Sequence, residues 1–410
     1  MTVTERFLKL VSFDTQSSET SGQHPSTPGQ KVLGAELVRQ MQELGIQDAR
    51  MDESGYVYGT IPANCEKKLP VYGLIAHMDT SPDAPGSSIR ARVTEAYAGG
   101  DILLNEEKGI YLRASEYESL ANHVGKHLVV TDGTTLLGAD DKAGVAEILA
   151  AAELLLASPR AHGTVKIAFT PDEEIGEGAD HFDVAGFGAD YAYTVDGGAL
   201  GELEYENFNA ASARVDICGL SIHPGLATGK MVNASLVAME LHSLLPPLAT
   251  PYHTAGYEGF FHLTEMQGEV EHASLCYIIR DHDREKFALR KRMLEKAVGE
   301  INRRYGEGTA QLTMRDSYYN MKEKLEPCMF LVEQAKSAML ALGITPKVQP
   351  IRGGTDGARL SFEGLPCPNL CAGGENFHGR FEYVPVEDME KIAELLAQII
   401  WQVAANSPLV

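Results

Sequence analysis

Val71-Tyr72-Gly73-Leu74-Ile75-Ala76 is a nearly unbroken apolar run of strand length, and a strand that is apolar on both faces must be covered on both. The chain therefore needs a sheet with layers on each side, and whatever follows Ala76 sits at a strand's carboxyl end. The neighbouring pattern agrees: helices are expected over 5–12, 30–44 and 142–157, and strands over 164–169 and 191–195. Strands alternating with helical stretches predict an α/β sheet covered by helices. The first two helices flank a Ser/Thr/Pro/Gly-rich segment, Gln16 to Gly29, which reads as a lid or a solvated connection.

The texture changes near residue 211. An alternating strand through Ala213, Val215 and Ile217 precedes a helix over 233–245, strands over 261–267 and 274–280, a helix over 283–305 and a strand over 310–315. That β-α-β-β-α-β order is what a ferredoxin-like module needs. The α/β pattern then resumes with a helix over 328–342, a strand over 348–351, a Gly-rich segment over 353–357 and a helix over 387–404. The expected organisation is thus a discontinuous α/β domain, 1–210 and 317–410, interrupted by an inserted domain at 211–316.

With 35 Lys and Arg against 57 Asp and Glu, the 410-residue chain carries a formal charge of −22. A field of that sign repels phosphate backbones and anionic lipid, which argues against nucleic-acid and membrane-surface roles. The most apolar stretch, Gly144 to Ala157, is broken by Glu147 and Glu153, and the first ten residues contain no signal-peptide core. The six cysteines form no paired framework, so reduced thiols and a cytoplasmic location are expected. Cys367 and Cys371 stand four apart, but no second Cys or Cys/His pair completes a zinc site.

The chemistry-bearing residues gather at predicted strand ends. His77-Met78-Asp79 places an imidazole and a carboxylate on one side of an extended segment, although His181-Phe182-Asp183 repeats the spacing. In Gly138-Ala139-Asp140-Asp141-Lys142-Ala143-Gly144 two acids open a helix, and helix capping accounts for one of them. Pro171-Asp172-Glu173-Glu174 sets three acids after a strand, where their repulsion calls for a cation or solvent. Asp196 follows another apolar strand, with Gly197-Gly198 behind it. Ligand crevices of open α/β sheets lie outside the carboxyl ends of their strands, and mixed His/carboxylate sets suit zinc, cobalt or manganese in hydrolases.

Together with Phe377-His378-Gly379, these ordered motifs resemble the M20 family of dinuclear metallopeptidases nearly end to end. Further matching stretches are Tyr205 to Ser212, Tyr277 to Asp281, Ile351 to Gly357 and Gly364 to Asn369. The resemblance implies two divalent ions per chain, zinc foremost with cobalt or manganese as alternatives, one held by His77, Asp140 and Asp196 and one by Asp140, Glu174 and His378. It implies Glu173 as general base and then acid, Asp79 orienting His77 from behind, and a cis Asp140–Asp141 peptide. It also implies that the insert is a lid and dimerisation domain and that the activity is removal of the N-terminal residue from tripeptides. His223 would reach the partner subunit's site in a homodimer, and Arg280, Arg352 and Asn233 would contact substrate. From the residues alone, His223 reads as an exposed loop histidine, Arg280 equally as a structural ion pair and Asn233 as a helix N-cap.

The rival expectations are a dipeptidase, carboxypeptidase or N-acyl amino-acid deacylase on the same metal site, or a metal-dependent binding protein with an inactive one. Serine and P-loop schemes fail on inspection: there is no G-x-S-x-G and no H-E-x-x-H, and Gly225 to Met231 is one residue short of a P-loop.

Overall fold

A computed structural model describes residues 1–406, which divide into two compact units. Of the described residues, the first comprises 1–205, 323–349 and 355–406, and the second Glu206–Lys322 with Pro350–Gly354. The Gly353-Gly354 pair therefore belongs to the second unit, while Thr355 and Asp356 belong to the first.

The first unit is built on an eight-stranded mixed sheet ordered Gln47–Met51, Val57–Ile61, Val165–Thr170, Tyr72–His77, Tyr191–Gly197, Asn369–Cys371, Glu202–Glu204 and Lys347–Val348. Tyr72–His77 lies at its centre, parallel to both neighbours, with His77 opposite Thr170 and Ile75 opposite Thr194. Parallel pairing sends the carboxyl ends of these strands to one edge. Along the central strand Leu74 and Ala76 join one core and Ile75 the other, which is the two-faced burial that an unbroken apolar run requires.

On the first face pack the helices Val3–Leu10, Pro28–Leu44, Ala139–Ala157, Phe330–Ala341 and Val386–Asn406. The helix Ala139–Ala157 is buried almost all round, and Gly144 lets it approach the sheet so closely that a Cβ would overlap the Val195 carbonyl oxygen. The opposite face carries Tyr56, Tyr58, Phe182, Phe187 and Leu360.

Several elements depart from expectation. The segment between the central strand and Asp132, to which the sequence pattern assigns no element, holds the hairpin Ile102–Asn105 and Ile110–Leu112 and two strands, Arg92–Val93 and Leu128–Val130, that form a small sheet with Tyr383–Pro385. The strand expected over 348–351 shrinks to Lys347–Val348, because Ile351 turns away to donate its N–H to the Glu206 carbonyl. Asp356–Phe362 is a short helix that the Gly-rich sequence before it obscures.

The second unit is a four-stranded antiparallel sheet, ordered Phe260–Gly268, His272–Asp281, Asn209–Cys218 and Ala310–Tyr318, with helices Ala234–Ser243 and Arg284–Tyr305. The chain order is β-α-β-β-α-β. Its own core contains Val215, Ile217, Val237, Leu241, Leu275, Tyr277, Leu294 and Ile301.

Candidate active site

Four segments converge at the carboxyl edge of the large sheet. His77 ends the central strand, Asp196 lies in the adjacent strand, Glu173 and Glu174 begin the turn after Val165–Thr170, and Asp140 opens the buried helix. His378 comes from a loop after Asn369–Cys371, in a left-handed conformation with φ 61°.

Asp140 is the centre of the cluster. Its Oδ1 lies 2.9 Å from His77 Nε2 and its Oδ2 3.3 Å from His378 Nε2, so each oxygen faces a different imidazole. His77 Nε2 is also 3.4 Å from Asp196 Oδ1, and His378 Nε2 is 3.0 Å from Glu174 Oε2. Donor atoms of His77, Asp140 and Glu174, and of His77, Glu173 and Asp196, lie within 4.8 Å of one another. The Asp140–Asp141 peptide is cis. Asp141 is not part of the donor set: its carboxylate accepts the N–H groups of His77 and Gly144, at 3.1 and 3.3 Å.

The surroundings hold these groups in place. Asp79 is fully buried; one of its oxygens accepts the Glu173 N–H at 3.0 Å and the other the Glu174 N–H at 3.1 Å. Asp79 Oδ1 also lies 3.2 Å from Nδ1 of His77. Asp172, beside Glu173, is anchored by the Ser26 N–H at 2.6 Å, the Ser26 hydroxyl at 2.5 Å and the Gln30 amide at 2.6 Å. Three contacts escape any reading of the sequence: Asp83 3.1 Å from His378 Nδ1, the Lys142 ammonium donating to the Phe13 carbonyl at 2.8 Å, and Glu382 beneath the Asp140 turn. All are tertiary meetings of distant segments. The repeated His181-Phe182-Asp183 lies outside the cluster, with Asp183 capping a short helix through the Gly186 N–H.

So many acids with so few cations perturb one another. Burial and then Asp196 raise the Glu173 carboxyl well above the ordinary range, and burial with Asp140 pushes Glu174 up to about 8. Burial raises Asp196 to about 6. Hydrogen bonds to Asp140 and Glu174 push His378 up to about 12; burial opposes the rise at His77, but Asp196, Asp140 and Asp79 hold it well above its usual value. The chemistry of this donor set fits divalent cations, and Glu174 supplies a buried Oε1 with no hydrogen-bond partner among the described residues.

The remaining candidates lie in the second unit. His223 is in a turn, its Nδ1 accepting the Gly225 N–H at 3.2 Å, and Asn233 caps Ala234–Ser243 through the Leu236 N–H. Arg280 donates to the Arg352 carbonyl at 3.0 Å, while its buried Nε has no partner among the described residues. Arg352 is more fully engaged, with hydrogen bonds to Thr254, Gly256 and Glu258 and its guanidinium over Phe208.

A His/carboxylate cluster at the carboxyl edge of a mixed α/β sheet is a donor set of the kind that suits divalent cations in hydrolases. The chain belongs to peptidase family M20/M25/M40, whose model matches residues 130–402. It is 55% identical to a Peptidase T of Caldanaerobacter subterraneus over 97% of this chain and 98% of that one, and 54% identical to a Peptidase T of Parabacteroides distasonis over 98% of each. Among solved structures it resembles an aminopeptidase PepT of Bacillus cereus, with a TM-score of 0.76 and 25% identity over 98% of both chains. A tripeptidase of Staphylococcus aureus shares the fold at a TM-score of 0.77 and 22% identity, again over 98% of both chains.

Proposed function

We propose that the chain is a two-metal aminopeptidase that releases the N-terminal residue from tripeptides. His77, Asp140 and Asp196 would hold one divalent ion and Asp140, Glu174 and His378 the other, with zinc, cobalt or manganese as the metal. The observation that carries this reading is Asp140, whose two oxygens face two different imidazoles, an arrangement that would let one carboxylate serve two ions. When bound, such a pair polarises the scissile carbonyl and lowers the pKa of water toward ~7.

Glu173 takes the proton of the attacking water and delivers it to the departing amine. Glu173 and Glu174 divide the work: one stays free to carry the proton while the other neutralises metal charge. Asp79 orients both, since it holds their backbone N–H groups and faces the rear nitrogen of His77. The tripeptide specificity is supported by the relatives, two of which bear the name Peptidase T and one the name tripeptidase.

In this reading the second unit is the lid and dimerisation domain of a homodimer. His223 crosses to the partner subunit's site and donates to the substrate carbonyl. Arg280, whose Nε has no partner among the described residues, takes the peptide's C-terminal carboxylate together with Arg352, and Asn233 adds a further substrate contact. The six free thiols fit a reducing, cytoplasmic location.

The test is a metal count and a rate. Metal-loaded protein should contain two ions per chain, and Glu173→Gln should keep both while losing ~10²-fold or more in kcat. Fewer than two ions, or a variant within about tenfold of the wild-type rate, contradicts the proposal.

A further inference from the structure

We infer that Glu382 is a positioning residue, which sets the spacing between Asp140 and His378 by clamping the turn that carries one to the loop that carries the other. The inference rests on the two-metal reading and adds a residue to it.

Glu382 is only 2% exposed, and its carboxylate makes no ion pair with a Lys or Arg among the described residues. It is given over to backbone instead. One oxygen accepts the N–H groups of Leu137 and Gly138 at 2.7 and 2.8 Å, and the other accepts the N–H of Asp140 at 3.1 Å. Gly138, with φ 77°, allows the turn that aims these donors at one point. Three N–H groups on two oxygens are a task for a carboxylate, since an amide has one acceptor atom and would set its own N–H₂ against the remaining donors.

The other end of the clamp is equally fixed. Glu375 and Tyr383 exchange backbone hydrogen bonds at 2.9 and 3.1 Å, and the Asn376 amide donates to the Phe381 carbonyl at 3.0 Å. These bonds close a small loop with His378 between them. Tyr383, next to Glu382, pairs with Val130 in the small sheet, which keeps the base of the loop from shifting. The carboxylate of Glu382 thus joins a braced loop to the first residues of the buried helix. Asp140 lies on one side of that joint and His378 on the other, so an ion held by Asp140, Glu174 and His378 would depend on its geometry.

A merely structural Glu382 would lower stability without altering metal affinity, so the experiment reads both. Cation binding to metal-free wild type, Glu382→Gln and Glu382→Ala is measured by two-site calorimetry with Zn²⁺ and with Mn²⁺, beside amide hydrogen exchange and thermal melts. Tyr72→Phe, which loses only a hydrogen bond to Gln334 away from the site, serves as a destabilised control. In Glu382→Gln the weaker of the two ions should bind about 10–100-fold less tightly, and the amides of Leu137, Gly138 and Asp140 should exchange faster. Tyr72→Phe should change the melt alone. If the alanine variant does not fold, the near-isosteric Gln variant decides. Wild-type affinity for both ions in folded Glu382→Gln overturns the inference while leaving the two-metal reading intact. A wild type that binds fewer than two ions overturns that reading and the inference with it.

Discussion

One oxygen of the Asp79 carboxylate accepts the backbone N–H of Glu173 at 3.0 Å. The residue proposed to carry the proton is therefore held by its main chain, through the acid that also faces His77 from behind. Asp79→Asn leaves an amide N–H₂ opposite one of two buried N–H donors and weakens the orientation of the imidazole. Its kcat should fall about 10–100-fold with the fold retained by circular dichroism. A variant with the full wild-type rate would contradict the positioning role.

Gly144 is needed for space. A Cβ there would overlap the Val195 carbonyl oxygen and the Asp141 carboxylate, so Gly144→Ala must push the helix Ala139–Ala157 away from the sheet. The expected cost is about 1–3 kcal/mol, read as a lower urea midpoint. An unchanged midpoint would show that the helix has slack which the structure does not display.

Metal uptake should release protons. In the metal-free chain His77 is held well above its usual pKa and His378 at about 12, so both imidazoles are protonated near neutral pH, whereas a metal takes the neutral form. A raised pKa means that the proton is the stronger competitor. Apparent metal affinity should therefore fall as pH falls and rise as pH rises, with protons appearing in a weakly buffered titration. Affinity independent of pH around neutrality would contradict this account of the cluster.

The dimer proposal is open to complementation. Glu173→Gln and His223→Ala subunits, each nearly inactive alone, should regain activity when mixed and allowed to exchange, because one site of the mixed dimer then has its own Glu173 and an intact His223 from its partner. No recovery in mixtures shown by mass to contain heterodimers would contradict a His223 that works across the interface.

Much of this architecture was open to reading in the sequence, for identifiable reasons. The run ending at Ala76 demands burial on both faces, so the position of His77 at a sheet edge follows from periodicity. Alternation and helical spacing likewise mark out the β-α-β-β-α-β unit. Helix and strand ends moved by a few residues, as at Tyr72–His77 and Val386–Asn406, since hydrogen bonding rather than composition sets them. The short strands before Asp132 were hidden because pairings of two to four residues are too short to show a period. Among 13 histidines, spacing gave no reason to choose His378; only the family resemblance did. Glu382 was beyond reach from either side, because its role lies in contacts more than 240 residues apart in the chain.

The central claim is tested most directly by a substrate panel: an unblocked tripeptide, its N-acetyl form, the matching dipeptide and the tetrapeptide, each with Zn²⁺, Co²⁺ or Mn²⁺ and with Glu173→Gln as control. The expected result is release of the N-terminal residue from the free tripeptide alone, lost in the control. Cleavage of the acetylated tripeptide or the dipeptide at a comparable rate would contradict it and make the chain a deacylase or dipeptidase on the same metal site.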